Sequence, residues 1–312
     1  VTGTLPTRRL GDLEVSAVGF GAMTLTQTPD SDVERGTRAV HAALDAGVTL
    51  FDTADVYGPT GGDVPGGYGA NERVLMAALR SWDGPLDDVV VATKGGHTRE
   101  GLTWWIDGSR EHLRTAALAS RERLGLDVIP LYQHHRPDPR CPYRESMEAL
   151  RALVDDGIVA RIGISNVSAG QVRLAAAIVG DALVSVQNEY SPLARGSDPV
   201  IDLCSELGLA FLSWGPFGGL RQAKSLAQSL VQSLAPFAEV AAERGVSPHR
   251  VALAWQLARS PCVVPIPGAS RAESVLDSVA AATLVLTPEE KARLGLSVEK
   301  PMSASPDLRR PR

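Results

Sequence analysis

Residues 128–180 read VIPLYQHHRPDPRCPYRESMEALRALVDDGIVARIGISNVSAGQVRLAAAIVG. Two short apolar runs, Val128 to Tyr132 and Ala160 to Ile164, are each followed by a longer segment of helical spacing, Glu145 to Asp156 and Ser168 to Val179. Gly157 and Gly180 stand where those helices should stop, because glycine enters the left-handed conformation without a Cβ penalty. Runs that are apolar at nearly every position are buried on both faces, the mark of parallel strands covered by helices. The stretch is therefore two consecutive βα units.

The same alternation extends in both directions. Further runs are Val15 to Phe20, Val48 to Phe51, Val89 to Ala92, Leu183 to Val186, Leu209 to Leu212 and Cys262 to Ile266, eight in all. Helical spacing also marks Ser31 to Ala46, Asn71 to Arg80, Gly108 to Leu124 and Pro199 to Leu207. Gly47, Gly125, Gly208 and Gly245 supply further stops. Ser247-Pro248 pairs a capping hydroxyl with a proline at the first helical position, and Thr287-Pro288-Glu289-Glu290 is a capping box. Eight βα units in 312 residues predict an α/β protein, one closed (β/α)₈ TIM barrel over residues 1–312 with a loosely held tail from about residue 299. An open doubly wound sheet fits less well, since Gly19-Phe20-Gly21 is followed by Thr24 where a dinucleotide fingerprint needs its third glycine.

Composition narrows the function. The net charge is −5 with Lys and Arg scattered, so no basic footprint for nucleic acid or an anionic membrane is expected. Arg309, Arg310 and Arg312 form the longest basic run and read as part of the tail. No run has the length of a membrane span or of a signal-peptide core. Cys141, Cys204 and Cys262 have neither disulfide nor zinc spacing, which favours a reducing cytoplasm and no metal. Cys262 reads as the buried start of a strand, behaving as a small hydrophobe.

A barrel of this kind carries its active site at the C-terminal ends of its strands. The polar residues there are Asp52, Lys94, His134 and His135, Ser165 and Asn166, Gln187, Ser213 and Trp214, then Ser270 and Arg271, with Tyr57 just beyond Asp52. Taken singly, Asp52 fits a turn, Lys94 a solvated surface and His135 a satisfied barrel-end histidine. Converging on one mouth, Asp, Lys, His and Tyr suggest proton transfer. A lysine ammonium beside the tyrosine is expected to lower its pKa from about 10. Asp52 would hold that lysine charged, and a neutral histidine would orient a substrate oxygen.

Phe51-Asp52-Thr53-Ala54-Asp55-Val56-Tyr57-Gly58 resembles the strand-two signature of the aldo-keto reductases. Ala92-Thr93-Lys94-Gly95-Gly96 is similar to that family's lysine motif, and Leu131 to Asp138 to its histidine motif. Ile162 to Asn166, Val186 to Ser191 and Ile266 to Arg271 resemble further family segments in the family's order, covering roughly Leu10 to Leu296. The resemblance implies a reductase of aldehydes or ketones using NADPH/NADP, a keto-sugar or pyridoxal-like carbonyl being among the substrates open to it. Tyr57 would be the general acid, Lys94 its pKa modulator, Asp52 the partner of Lys94 and His135 the residue orienting the carbonyl. Ser165, Asn166 and Gln187 would hold the nicotinamide carboxamide, and Trp214 would stack on the ring. Ser270 and Arg271 would bind the adenosine 2′-phosphate. Gly21, Ala22, Met23, Pro216, Gly218, Ile266, Gly268, Asp277 and Ser278 complete the implied cofactor set.

The chain departs from the family pattern at three places. His134 replaces a usual aliphatic, Ser278 stands where many relatives have Asn, and the loop from Gly58 to Gly69 is long. Strand alternation lets only one of His134 and His135 point inward. Trp104 and Trp105, in the expected loop from Gly95 to Asp107, suit either a substrate wall or a loop anchor. The implied partner is a small carbonyl compound, with homo-oligomerisation left open. The competing class is an NADP-binding, redox-sensing regulatory subunit with slow turnover.

Overall fold

The computed structural model describes residues 5–27, 31–59, 67–100, 103–218 and 234–296. The chain opens with an antiparallel hairpin, β1 (Thr7–Leu10) and β2 (Leu13–Ser16), paired from Thr7↔Ser16 to Leu10↔Leu13. The barrel strands follow as β3 (Phe20–Gly21), β4 (Leu50–Asp52) and β5 (Val90–Gly95). A second hairpin, β6 (His97–Glu100) and β7 (Thr103–Ile106), interrupts them. They resume with β8 (Leu131–His134), β9 (Ile162–Ser165), β10 (Leu183–Glu189), β11 (Ala210–Trp214) and β12 (Val263–Pro265). The eight pair in parallel in chain order, β3 to β12. Gly19 N–H donates to the Pro265 carbonyl at 2.9 Å and Gly21 N–H to Pro267 at 3.0 Å, which brings the last strand against the first and closes the cylinder. Glycine is required at this seam: a Cβ on residue 21 would lie 2.8 Å from the Ile266 carbonyl oxygen.

Two apolar layers follow from this topology. Inside the cylinder Leu50, Val90, Ala92, Leu131, Val184, Ala210, Leu212, Val264 and Ile266 pack together, joined by Leu10 and Val15 of the first hairpin. That hairpin lies against the N-terminal ends of the strands, where Thr49 Oγ1 accepts from Ser16 N–H at 2.8 Å and Val184 sits beside Gly11. It plugs the mouth opposite the site. Outside, the helices bury the larger cluster around Leu75, Leu113, Leu150, Val172, Phe211 and Trp255. Local signals set their limits. Ser247 and Thr287 cap as expected, the latter in a full capping box with Glu290, and Ser168 does the same with Gln171. Gly47, Gly125, Gly157, Gly180, Gly208 and Gly245 all have positive φ at or just past helix ends.

Several expectations change. The run Val15 to Phe20 is not one strand: Val15 and Ser16 belong to the plug, and the barrel takes only Phe20 and Gly21. Other strands reach further than their apolar runs, to Gly95, His134, Glu189 and Trp214, because ladder pairing continues into the mostly buried polar residues that follow each run. The expected loop from Gly95 to Asp107 contains the β6–β7 hairpin, whose Thr-Trp-Trp-Ile strand has high β-propensity. Cys262 precedes β12 and is half-buried, with Ser205 Oγ and Ser260 Oγ each 3.3 Å from its sulfur. Most of the Gly58–Gly69 and Gly218–Ser233 loops, and the tail, lie outside the described residues. Among those residues no helix is long and apolar enough to cross a membrane.

Truncating the barrel interior should cost far more than truncating the surface. Leu212→Ala, at a fully buried position, is expected to lower unfolding free energy by about 2–5 kcal/mol. Val285→Ala, 79% exposed, should stay within about 0.5 kcal/mol of wild type. Urea denaturation of the two variants makes the comparison.

Candidate active site

Four strands deliver the site. Asp52 ends β4, paired in register between Gly21 and Ala92. Lys94 lies in β5, where its fully buried side chain runs inside the barrel. Its Nζ donates to Asp52 Oδ2 at 2.5 Å, to the Thr53 carbonyl at 2.9 Å and to the Tyr57 hydroxyl at 3.4 Å. The other Asp52 oxygen accepts from Gln133 Nε2 and Gln187 Nε2, both at 2.8 Å. Tyr57 sits in the turn after β4, with its backbone N–H bonded to the Ala54 carbonyl. His135 follows β8, its N–H held by the Gly95 carbonyl at 2.9 Å, and its ring meets that of Tyr57 edge-on at 5.6 Å.

Electrostatics assign protonation states. Burial pushes the Lys94 pKa down, but Asp52 and Tyr57 outweigh it and the net shift is upward, so the ammonium persists. For Tyr57 desolvation pushes the pKa up by more than Lys94 pulls it down. The expected net lowering of the tyrosine pKa is therefore reversed, because an unsolvated phenolate costs more than one cation at 3.4 Å returns. The phenol stays protonated at neutral pH. Burial, assisted by Lys94, takes His135 well below the ordinary histidine value, leaving a neutral imidazole.

These groups face a cavity of about 330 Å³. Of the residues singled out from sequence, Gly21, Met23, Asp52, Tyr57, His135, Ser165, Asn166, Gln187, Trp214, Pro216, Ile266 and Gly268 line it. Lys94 is reached through Tyr57, and Ala22 is fully buried behind the wall. Gly218 ends the described segment after Phe217. Ser270 is half-buried and Arg271 exposed, at the start of the helix Ala272–Val279. Asp277 and Ser278, on that helix, do not line this cavity. The Asp277 carboxylate accepts from Arg250 Nε at 3.0 Å and Nη2 at 2.7 Å and also from Ser247, while Ser278 is buried near Val18 and Val48.

Thr24, Gln27, His97, Arg136, Gly215 and Phe217 also line the cavity and were not anticipated. His97 directly follows the lysine motif and Arg136 lies within the histidine motif, but only the turn into β6 and the end of β8 aim them inward. Trp104 lines the cavity, and its alternating neighbour Trp105 faces out, 38% exposed. Alternation also separates the histidines. His134 is fully buried beneath Tyr143, with ring centroids 6.0 Å apart and both ring nitrogens unpartnered among the described residues. Asn166 is the one non-glycine with positive φ among the described residues, 59°, a conformation asparagine tolerates. Its Nδ2 donates to the His135 carbonyl at 2.9 Å, tying β9 to the histidine.

A (β/α)₈ barrel with this cluster at its strand ends is the frame of a barrel oxidoreductase, and comparison with known proteins gives the family. The sequence model described as Aldo/keto reductase family matches residues 17–296, and the chain belongs to that family. An uncharacterized oxidoreductase of Schizosaccharomyces pombe is 32% identical over 295 residues, covering 92% of this chain and 88% of the relative. The crystal structure of an aldo/keto reductase from Klebsiella pneumoniae, in complex with NADP and acetate, superposes with TM-score 0.75 at 26% identity, covering 93% of this chain and 94% of that one. A glycerol dehydrogenase from Gluconobacter oxydans gives TM-score 0.76 at 27% identity, over 92% and 93% of the two chains.

Burial pushes His134 down to about 4, whereas an unfolded histidine titrates near 6.5. The unfolded chain therefore binds the extra proton first, and stability should fall as pH drops from about 6.5 towards 4, by up to about 3 kcal/mol from this residue. His134→Leu should flatten that part of the slope in urea titrations from pH 4 to 7. An unchanged slope would remove His134 as its source.

Proposed function

We propose that the protein reduces an aldehyde or ketone to the alcohol with NADPH, using Tyr57 as general acid. The observation that carries this reading is the Tyr57 hydroxyl, 3.4 Å from a buried ammonium and beside a neutral imidazole, on one cavity. The residues present suit the cofactor. Among the described residues Asn166 Oδ1 and Gln187 Oε1 accept no hydrogen bond and the buried Trp214 Nε1 has no partner. Asn166, Gln187 and Ser165 would hold a carboxamide, with Trp214 against the ring. Arg271 makes no ion pair with any described residue and stands where the helix Ala272–Val279 begins without a capping side chain. With Ser270 it would hold a phosphate there.

Bound NADPH supplies the hydride that adds to the carbonyl carbon. Tyr57 gives its proton to the carbonyl oxygen. Lys94, kept charged by Asp52, stabilises the phenolate left behind. The neutral His135 imidazole orients the same oxygen without competing for the proton.

Tyr57→Phe should lower NADPH-driven turnover across a panel of aldehydes and ketones by about 10²–10⁴-fold, while NADPH binding followed by fluorescence persists. Unchanged turnover would sink the mechanism, and tight binding without turnover on any carbonyl would favour the redox-sensing subunit. Because the Tyr57 pKa is raised, reduction should hold steady through neutral pH and fall only above about pH 10.

Arg271→Ala should raise KM for NADPH by roughly tenfold, as loss of a charge-assisted phosphate contact does. KM for NADH should barely move. Equal effects on both cofactors would remove Arg271 from the 2′-phosphate.

A further inference from the structure

The charged residues lining the cavity, among those described, are Asp52 and Arg136. Lys94 at 2.5 Å offsets the charge of Asp52. The two imidazoles, His97 and His135, are kept neutral by burial, with Arg136 adding to the effect on each. One positive charge is left over on the wall, that of Arg136.

Arg136 makes no hydrogen bond or ion pair with any described residue. Asp138, two residues on, is already engaged by the N–H groups of Gly108 at 3.1 Å and Arg140 at 2.9 Å and by Arg140 Nε at 3.3 Å. Arg99 makes the contrast: its guanidinium is committed to the carbonyls of Pro59 at 2.9 Å and Gly67 at 2.7 Å, and it covers the Trp104 ring. Arg99 braces a loop, whereas Arg136 is spare. Its backbone is also well placed, since the preceding His135 is bonded through N–H to Gly95 and through its carbonyl to Asn166. His97 sits beside it on the cavity, its ring packed edge-on between His135 at 5.0 Å and Trp104 at 5.1 Å. Much of the remaining wall is apolar, from Met23, Trp104, Trp214 and Phe217.

We propose that this cavity selects carbonyl substrates that carry an oxyanion group, carboxylate or phosphate, with Arg136 binding the anion and His97 as an adjoining hydrogen-bond partner. This rests on the carbonyl-reductase reading. Arg136 is exposed at the cavity wall, free to turn to a ligand there, and a guanidinium fork matches either oxyanion in bidentate fashion. The aromatic side chains hold the carbon part between that anion and Tyr57. A small neutral carbonyl would make no use of Arg136.

The test sets each carboxybenzaldehyde isomer beside its neutral carboxamide, and glyceraldehyde 3-phosphate beside glyceraldehyde, with NADPH. Wild type should favour the charged member of at least one pair by roughly tenfold or more in kcat/KM, as expected for a charge-assisted contact, chiefly through KM. The pair that responds tells carboxylate from phosphate. In Arg136→Gln that ratio should fall towards one, and Arg136→Lys should restore part of it. A ratio near one for every pair in wild type, or a ratio that survives Arg136→Gln, overturns the proposal. So does an Arg136→Gln variant whose defect is weaker NADPH binding with the ratio intact. Failure to reduce any member of the panel would instead strike the reductase reading. In that event quenching of tryptophan fluorescence by isophthalate but not isophthalamide, lost in Arg136→Gln, still reads the anion subsite, and equal quenching by both refutes it.

Discussion

The buried ion pair between Lys94 and Asp52 is the constraint around which the site is built. Two charges taken out of water repay their desolvation only when every remaining donor and acceptor is placed. Here Lys94 also reaches the Thr53 carbonyl and Tyr57, while Asp52 receives amides from Gln133 and Gln187. Those partners come from β4, β5, β8 and β10, so the pair links four staves of the cylinder. Register matters for the same reason. A one-residue slip of β5 would turn Lys94 into the helix layer and leave Asp52 uncompensated.

The two ends of the barrel divide the work. At one end the β1–β2 hairpin contributes Leu10 and Val15 to the interior and seals it. At the other, polar residues replace apolar ones as the strands emerge, and the β6–β7 hairpin raises a wall bearing His97 and Trp104 over the opening. The apolar interior between them lets a lysine with no solvent exposure keep its charge only through designated partners.

Much of this was legible in the sequence. The eight runs and their polar terminators follow from burial alone, and burial is what hydrophobic patterning records. What stayed hidden depends on chain direction rather than composition. His97 and Arg136 enter the cavity because a turn and a strand end aim them there, and no spacing rule encodes that. Asp277 lies on a helix close to Arg271, yet its carboxylate is taken by Arg250. Asp55, three residues past Asp52, is fully buried, where desolvation and Glu72 push its pKa well up and the Tyr68 hydroxyl reaches it at 3.2 Å. The sign of the Tyr57 shift was hidden too, since it depends on how much water the fold removes.

The two-residue β3 makes the cylinder a zipped sheet rather than a uniform tube. Where β3 meets β12, closure rests on the bonds from Gly19 and Gly21 to Pro265 and Pro267. Local opening is cheapest where backbone bonds are few and side-chain packing is thin. Gly21 on one lip and Ile266 and Gly268 on the other border the same cavity. A molecule lodged there touches both sides of the zip and stabilises the closed form by mass action. Through the shortest strand, occupancy of the cavity and closure of the barrel are linked equilibria.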